Sequence, residues 1–176
     1  MLPIRFDVSP HPFVNHALLS DVAAREWVAL VRSERLHPMT SALLPDWYAD
    51  VAKTGLPTTL GIEIVELSES RVVATMPVDH RTHQPFGILH GGASIALAET
   101  VASFGAVALI DRERYVAVGQ EINGNHLRPK RDGMVRATGV PVHIGRTSQV
   151  WSIEIRDEEG RLVCISRCTM AIVERR

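Results

Sequence analysis

Hydrophobic positions change their spacing along this chain, and the changes mark out its elements. From Ala93 to Ile110 almost every position is apolar. That run is too long for a strand and reads as a helix buried on nearly all sides. Before it, Leu60–Val65 and Arg71–Val78 are rich in β-branched residues and flank the polar stretch Glu66–Ser70, which predicts a hairpin. After it come strand-like runs at Tyr115–His126, Val135–His143, Ser148–Arg156 and Arg161–Val173. Trp151, Ile153 and Ile155 alternate with Ser152, Glu154 and Arg156, so one face of that strand is buried. Asp157-Glu158-Glu159-Gly160 reads as a hairpin turn.

Strands on both sides of a single long helix predict an α+β fold with an antiparallel sheet. The simplest cover for so apolar a helix is a strongly curved sheet wrapped around it, with a second subunit closing what stays open. Asp79–Leu89 is expected as a loop. A short helix is expected from Pro45 to Lys53, with Gly55 just past its end. Residues 1–44 form an N-terminal extension punctuated by Pro3, Pro10, Pro12 and Pro38, with one helix capped by Ser20 that carries Val22, Trp27, Leu30 and Val31. Residues 45–176 are the main domain.

Charge and composition narrow the function classes. Hydrophobic residues make up 45% and charged residues 22%, the profile of a globular chain, and the formal net charge of −1 offers no basic field for nucleic acid. Cys164 and Cys168 lie four apart in a strand, roughly 13 Å along it, too far for a disulfide. No Cys/His spacing suits zinc, so no metal is expected. A reducing cytoplasm fits best. Met1–Asp7 lacks a basic start before an apolar run, so no signal peptide is expected. The Ala93–Ile110 run nears the length of a membrane span, but Glu99 at its middle makes that placement costly, so no membrane is expected.

The chemistry concentrates at Gln84-Pro85-Phe86-Gly87-Ile88-Leu89-His90-Gly91-Gly92-Ala93-Ser94. A Gly-Gly pair at a helix start exposes backbone N–H groups at the positive end of the helix dipole, where an anion or oxyanion binds. Helices also begin at glycines for backbone reasons alone. Glu99 is the only charged residue between His90 and Asp111. A carboxylate kept in so apolar a segment either bonds to neighbouring polar groups or serves chemistry. Ser103, one turn further on, either orients a water for Glu99 or bonds back to the preceding turn. Eight residues from Gly91 to Glu99 amount to about 12 Å of axial rise. A carbonyl held at the helix tip is therefore out of comfortable reach of Glu99 in the same chain. Two such helices lying antiparallel across a two-fold axis would place the tip of one against Glu99 of the other.

The run from Gln84 to Glu99 resembles the signature of hotdog-fold thioesterases. It is similar to the subgroup that contains the phenylacetate-pathway thioesterase, the Arthrobacter-type 4-hydroxybenzoyl-CoA thioesterase and 1,4-dihydroxy-2-naphthoyl-CoA hydrolase. Gly119–Arg128 and Pro141–Trp151 resemble later segments of that family, and the likeness spans about residues 46–173. The resemblance implies a hotdog fold, paired into homodimers and commonly homotetramers. It implies hydrolysis of an aryl- or medium-chain acyl-CoA, with coenzyme A as part of the substrate and no cofactor. A carrier-protein thioester or non-catalytic acyl-CoA binding are the alternatives. Glu99 resembles the catalytic carboxylate, as general base or nucleophile. Gln84 and the Gly91 N–H resemble the groups that polarise the thioester carbonyl, His90 the histidine beside it, and Ser103 the hydroxyl that places water. Gly119, His126, Arg128 and the segment Val142, His143, Ile144, Gly145, Arg146 and Thr147 resemble the region holding coenzyme A. Arg128, Lys130, Arg131 and Arg146 are expected near its phosphates, and Phe86, Ile88, Phe104 and Val107 along the acyl pocket.

Overall fold

The computed structural model describes residues 44–51 and 54–176. The helix expected after Ser20 and nearly all of the expected extension lie outside the described residues. Pro45 leads into α1 (Asp46–Val51), its carbonyl accepting from the Tyr48 N–H at 2.8 Å. A second short helix, α2 (Gly55–Leu60), stands where the apolar Leu60 was expected to open a strand. Gly61 ends it with a left-handed φ of 70°, and the N–H groups of Gly61 and Ile62 return to Thr58 and Pro57. That double closure is a Schellman turn, and its demand for φ > 0 explains the glycine.

β1 (Glu63–Leu67) and β2 (Val72–Pro77) then form the expected hairpin. The expected loop contains a miniature sheet, β3 (His83–Gln84) with β4 (Ile88–Leu89). α3 (Gly91–Ala108) follows, then β5 (Tyr115–His126), β6 (Met134–Ile144), β7 (Ser148–Asp157) and β8 (Leu162–Glu174). The main sheet runs β1-β2-β6-β7-β8-β5, and every neighbouring pair is antiparallel. β5 is thus an edge strand.

α3 touches all six strands of the main sheet, which wraps around it as the sequence pattern predicts. By length and composition alone α3 could cross a membrane; here Leu97, Ala98, Val101, Ala102 and Ala106 are fully buried against strand residues such as Met76, Ile153 and Met170. Small residues let helix and sheet approach. A Cβ at Gly105 would collide with the Trp151 ring, and one at Gly139 with Val101. Trp151 is fully buried and donates its indole N–H to Gln149 at 3.1 Å. Trp151→Ala should therefore lose about 3–5 kcal/mol in denaturant unfolding, the usual cost of emptying so large a core site. A loss below about 1 kcal/mol would show that the helix does not rest on this ring.

Candidate active site

His90 makes the tip of α3. Its extended backbone sets it as N-cap, and its ring Nδ1 accepts from the Gly92 N–H at 2.8 Å. An accepting Nδ1 leaves the ring proton on Nε2. The His90 carbonyl takes the N–H groups of Ala93 and Ser94 at 3.0 and 3.2 Å. The tip therefore does not offer several free amides, as the Gly-Gly pair suggested. It offers one, the N–H of Gly91, which has no acceptor among the described residues. A Cβ at Gly91 would stand 2.6 Å from Nε2 of His126, so the glycine is what admits that ring beside the tip.

Gln84 enters from β3. The Phe86 N–H donates to its Oε1 at 3.1 Å, which fixes the carboxamide, and its NH2 donors meet no acceptor among the described residues. Gln84 is thus held with its donor side turned away from the Phe86 N–H.

The segment from β3 to the helix tip is braced from below. Its Leu89 N–H donates to the Lys130 carbonyl at 2.7 Å, His83 Nε2 donates to the Arg131 carbonyl at 2.8 Å, and the His90 N–H donates to Thr82 at 2.8 Å. Lys130 Nζ in turn reaches Glu158 Oε2 in the β7–β8 turn at 2.6 Å. That hydrogen bond holds the Glu158 carboxyl below its usual range, against the opposing effect of burial. Lys130 was expected at a substrate phosphate; its ammonium is instead taken by Glu158, and only 14% of its side chain is exposed. Loss of this clamp should act on geometry. Glu158→Gln and Lys130→Met should each lower kcat by about tenfold with a smaller change in KM, because slight misplacement of the carbonyl donors is costly. An unchanged kcat in both variants would remove the clamp from the account.

Glu99 and Ser103 sit half-buried on the face of α3 that runs along β5. A Cβ at Gly119 would collide with Glu99 Oε1, and one at Gly124 with Ile95. Glu99 forms no ion pair or hydrogen bond among the described residues, and neither does the Ser103 hydroxyl. Burial first, then the charges of Glu99 and Glu121, push the Cys168 thiol up to about 12. Both cysteines are free and buried.

Strand register separates the remaining candidates into two ends. Gly119 pairs with Met170, Met170 with Gln149, and Gln149 with Ile144. This row holds Gly119 and Glu99 at the end where Val142, His143 and Ile144 finish β6 and Gly145, Arg146 and Thr147 turn into β7. Thr147 is tied there by the Ile172 N–H at 2.9 Å, and Gly145 by Ser148 at 2.9 Å. The opposite row runs from His126 through Cys164 and Ile155 to Ala137. It holds the helix tip, His126 and the exposed side chain of Arg128. The rows are roughly 20 Å apart along the strands. One chain therefore brings His90, Gly91 and His126 together, with Gln84 on the β3–β4 ribbon that leads into the helix tip, and separately Glu99, Ser103 and Gly119. It does not join the two groups. Phe86, 73% exposed, and Ile88 stand at the tip end and do not line the cleft that Phe104 and Val107 share with Ser103.

The family profile described as "Thioesterase superfamily" matches residues 86–164. A 1,4-dihydroxy-2-naphthoyl-CoA hydrolase of Listeria monocytogenes is 49% identical over 122 residues, covering 69% of this chain and 98% of that protein. The chain belongs to the thioesterase superfamily. This thioesterase is also 52% identical over 114 residues to the proofreading thioesterase EntH of Cronobacter turicensis, covering 65% of this chain and 82% of that one. A solved structure of a point variant of thioesterase PA1618 from Pseudomonas aeruginosa matches with a TM-score of 0.72 at 40% identity, covering 77% of this chain and all of that one. The fold is the hotdog fold, and the protein is a thioester hydrolase. The Lys130–Glu158 clamp and the role of His83 escaped the sequence, since their partners lie 28 and 48 residues away with no local signal.

Proposed function

We propose that this protein hydrolyses acyl-coenzyme A thioesters at a site completed by a second copy of the chain. The observation that carries the reading is Glu99, a carboxylate on an apolar helix with no partner among the described residues, facing a glycine on an edge strand. Antiparallel pairing of β5 with β5 of a second copy across a two-fold axis brings the Gly119 end of one chain beside the His126 end of the other. Such pairing also satisfies the open edge of a 12-residue strand. The tip of one α3 then supplies the carbonyl donors, and the other α3 supplies the acid.

In that arrangement the thioester oxygen accepts from the Gly91 N–H and from the Gln84 carboxamide. The helix dipole and fixed donors stabilise the charge that develops on it. Glu99 removes a proton from water, placed by Ser103, or attacks the carbonyl itself. The C–S bond then breaks, and the Nε2–H of His90 stands to stabilise the departing thiolate. His126, Arg128 and the segment from Val142 to Thr147 border the remaining substrate, with Arg128 and Arg146, unpaired among the described residues, turned to its phosphates. No bound cofactor enters this scheme, and two buried free thiols suit the reducing cytoplasm. Exposed Val118, Val140, Val142 and Ile144 offer apolar surface by which dimers join into tetramers.

The acyl group we propose is aromatic, 1,4-dihydroxy-2-naphthoyl among the candidates, in line with the named activity of the Listeria relative. The proofreading activity named for the Cronobacter relative fits a second reading, in which we place the thioester on a carrier protein. A turnover panel decides. Higher kcat/KM for aryl-CoA than for aliphatic CoA esters and for carrier-protein thioesters supports the first reading. Carrier-protein thioesters leading the panel establishes the second.

A further inference from the structure

A cleft of about 600 Å³ opens one helical turn beyond Glu99. Ser103 and Val107 of α3 form its floor, and Ala117 of β5 lies along one side. Its far wall is aromatic. Trp47 from α1 lies nearly parallel to Phe104, at 19° and 6.2 Å between ring centroids, and Tyr48 meets Phe104 edge-on at 5.2 Å. The mouth is basic. The Arg112 guanidinium is held over the Trp47 ring, 4.7 Å from its centroid. Arg175 is anchored beside it, its Nε donating to the Arg112 carbonyl at 2.8 Å. Neither guanidinium has a carboxylate partner among the described residues, and Glu113 is the single acid on the rim.

We infer that Trp47 and Arg112 read the far end of the acyl group, selecting a flat aromatic acyl that carries an acidic hydroxyl or carboxylate remote from the thioester. The inference rests on the thioesterase site proposed above, because it fixes the carbonyl at Glu99. From Glu99 to Phe104, the residue on which Trp47 stacks, is about 7.5 Å of axial rise, close to the span of a para-substituted benzoyl group, so an acyl group that starts at the acid and follows the helix ends against the Trp47–Phe104 wall. A flat ring stacks on that wall, and a flexible chain gains no such contact. An anion at its distal edge meets a guanidinium already positioned by its cation–π contact, so little ordering is required on binding. A neutral acyl group leaves that charge unused.

The test compares 4-carboxybenzoyl-CoA, benzoyl-CoA and hexanoyl-CoA as substrates of the full chain and of Arg112→Gln, Arg112→Lys and Trp47→Leu. Dissociation constants of the matching non-hydrolysable thioethers are measured on the same proteins. Arg112→Gln should reduce the preference for 4-carboxybenzoyl over benzoyl by about tenfold, in kcat/KM and in Kd alike, and Arg112→Lys should restore most of it. Trp47→Leu should weaken both aryl groups relative to hexanoyl. Arg112 lies at the surface, so its variants keep the fold even if Trp47→Leu loosens α1. An unchanged carboxybenzoyl-to-benzoyl ratio in Arg112→Gln, or tighter binding of hexanoyl than of either aryl thioether, overturns the inference. Thioether selectivity that persists without Glu99-dependent hydrolysis overturns the catalytic reading and leaves this one standing.

Discussion

Replacing Glu99 by Gln lowers kcat by about 10³-fold, the usual contribution of a positioned base or nucleophile, on whichever thioester the wild type turns over best. The carboxamide keeps the size of the side chain beside Gly119, so the circular dichroism spectrum and unfolding midpoint stay near those of the wild type. Substrate binding should change little, because in the proposed mechanism Glu99 acts on the reacting water or carbonyl and holds no other part of the substrate. The loss therefore appears in kcat and kcat/KM together, the mark of an interaction made in the transition state. Retention of hydrolysis within about threefold of wild type would remove Glu99 from the chemistry. A large loss accompanied by a collapsed unfolding midpoint would instead assign it to the fold.

Much of this architecture was legible because its signals are local. Wrapping was the simplest cover for the Ala93–Ile110 run, and the helix it forms touches all six strands of the main sheet. Trp151, Ile153 and Ile155 announced the inner face of β7 by simple alternation, and all three are fully buried. The glycines of β5 were visible as residues but not as a register. That Gly119 opposes Glu99 and Gly124 opposes Ile95 depends on how the helix crosses the strand. α2 was hidden because Leu60 fits a helix end and a strand start equally well, and the left-handed turn at Gly61 decides between them. Lys130 misled most. A lysine in an arginine-rich loop reads as a phosphate ligand until the fold delivers Glu158 to it from the next hairpin. Trp47 and Arg112 carry no motif at all, and only the cleft shows that they share a site.

The second large effect follows from the two separated rows of the sheet. In the proposed site Gln84→Ala removes a carbonyl donor at the tip end, and Glu99→Gln removes the acid at the other end. Each variant, pairing with itself as proposed, would carry two equivalent damaged sites and should be nearly inactive. If every site takes its donor from one chain and its acid from the other, a mixed dimer has one site with both groups intact and one with neither. Random exchange makes half of the dimers mixed, so a one-to-one mixture should recover about one quarter of wild-type activity. Recovery needs no new contact, only subunit exchange, and should fail for two variants of the same end, such as Gln84→Ala with His90→Ala.

That mixing experiment is the most direct test of a site shared between copies of this chain. Gln84→Ala and Glu99→Gln are unfolded together, refolded as a mixture, and assayed beside each variant refolded alone. The account predicts activity near one quarter of refolded wild type, from parents that are each close to zero. Activity no greater than the mean of the two parents, with mixed dimers confirmed by mass, would place donor and acid in the same chain and contradict it.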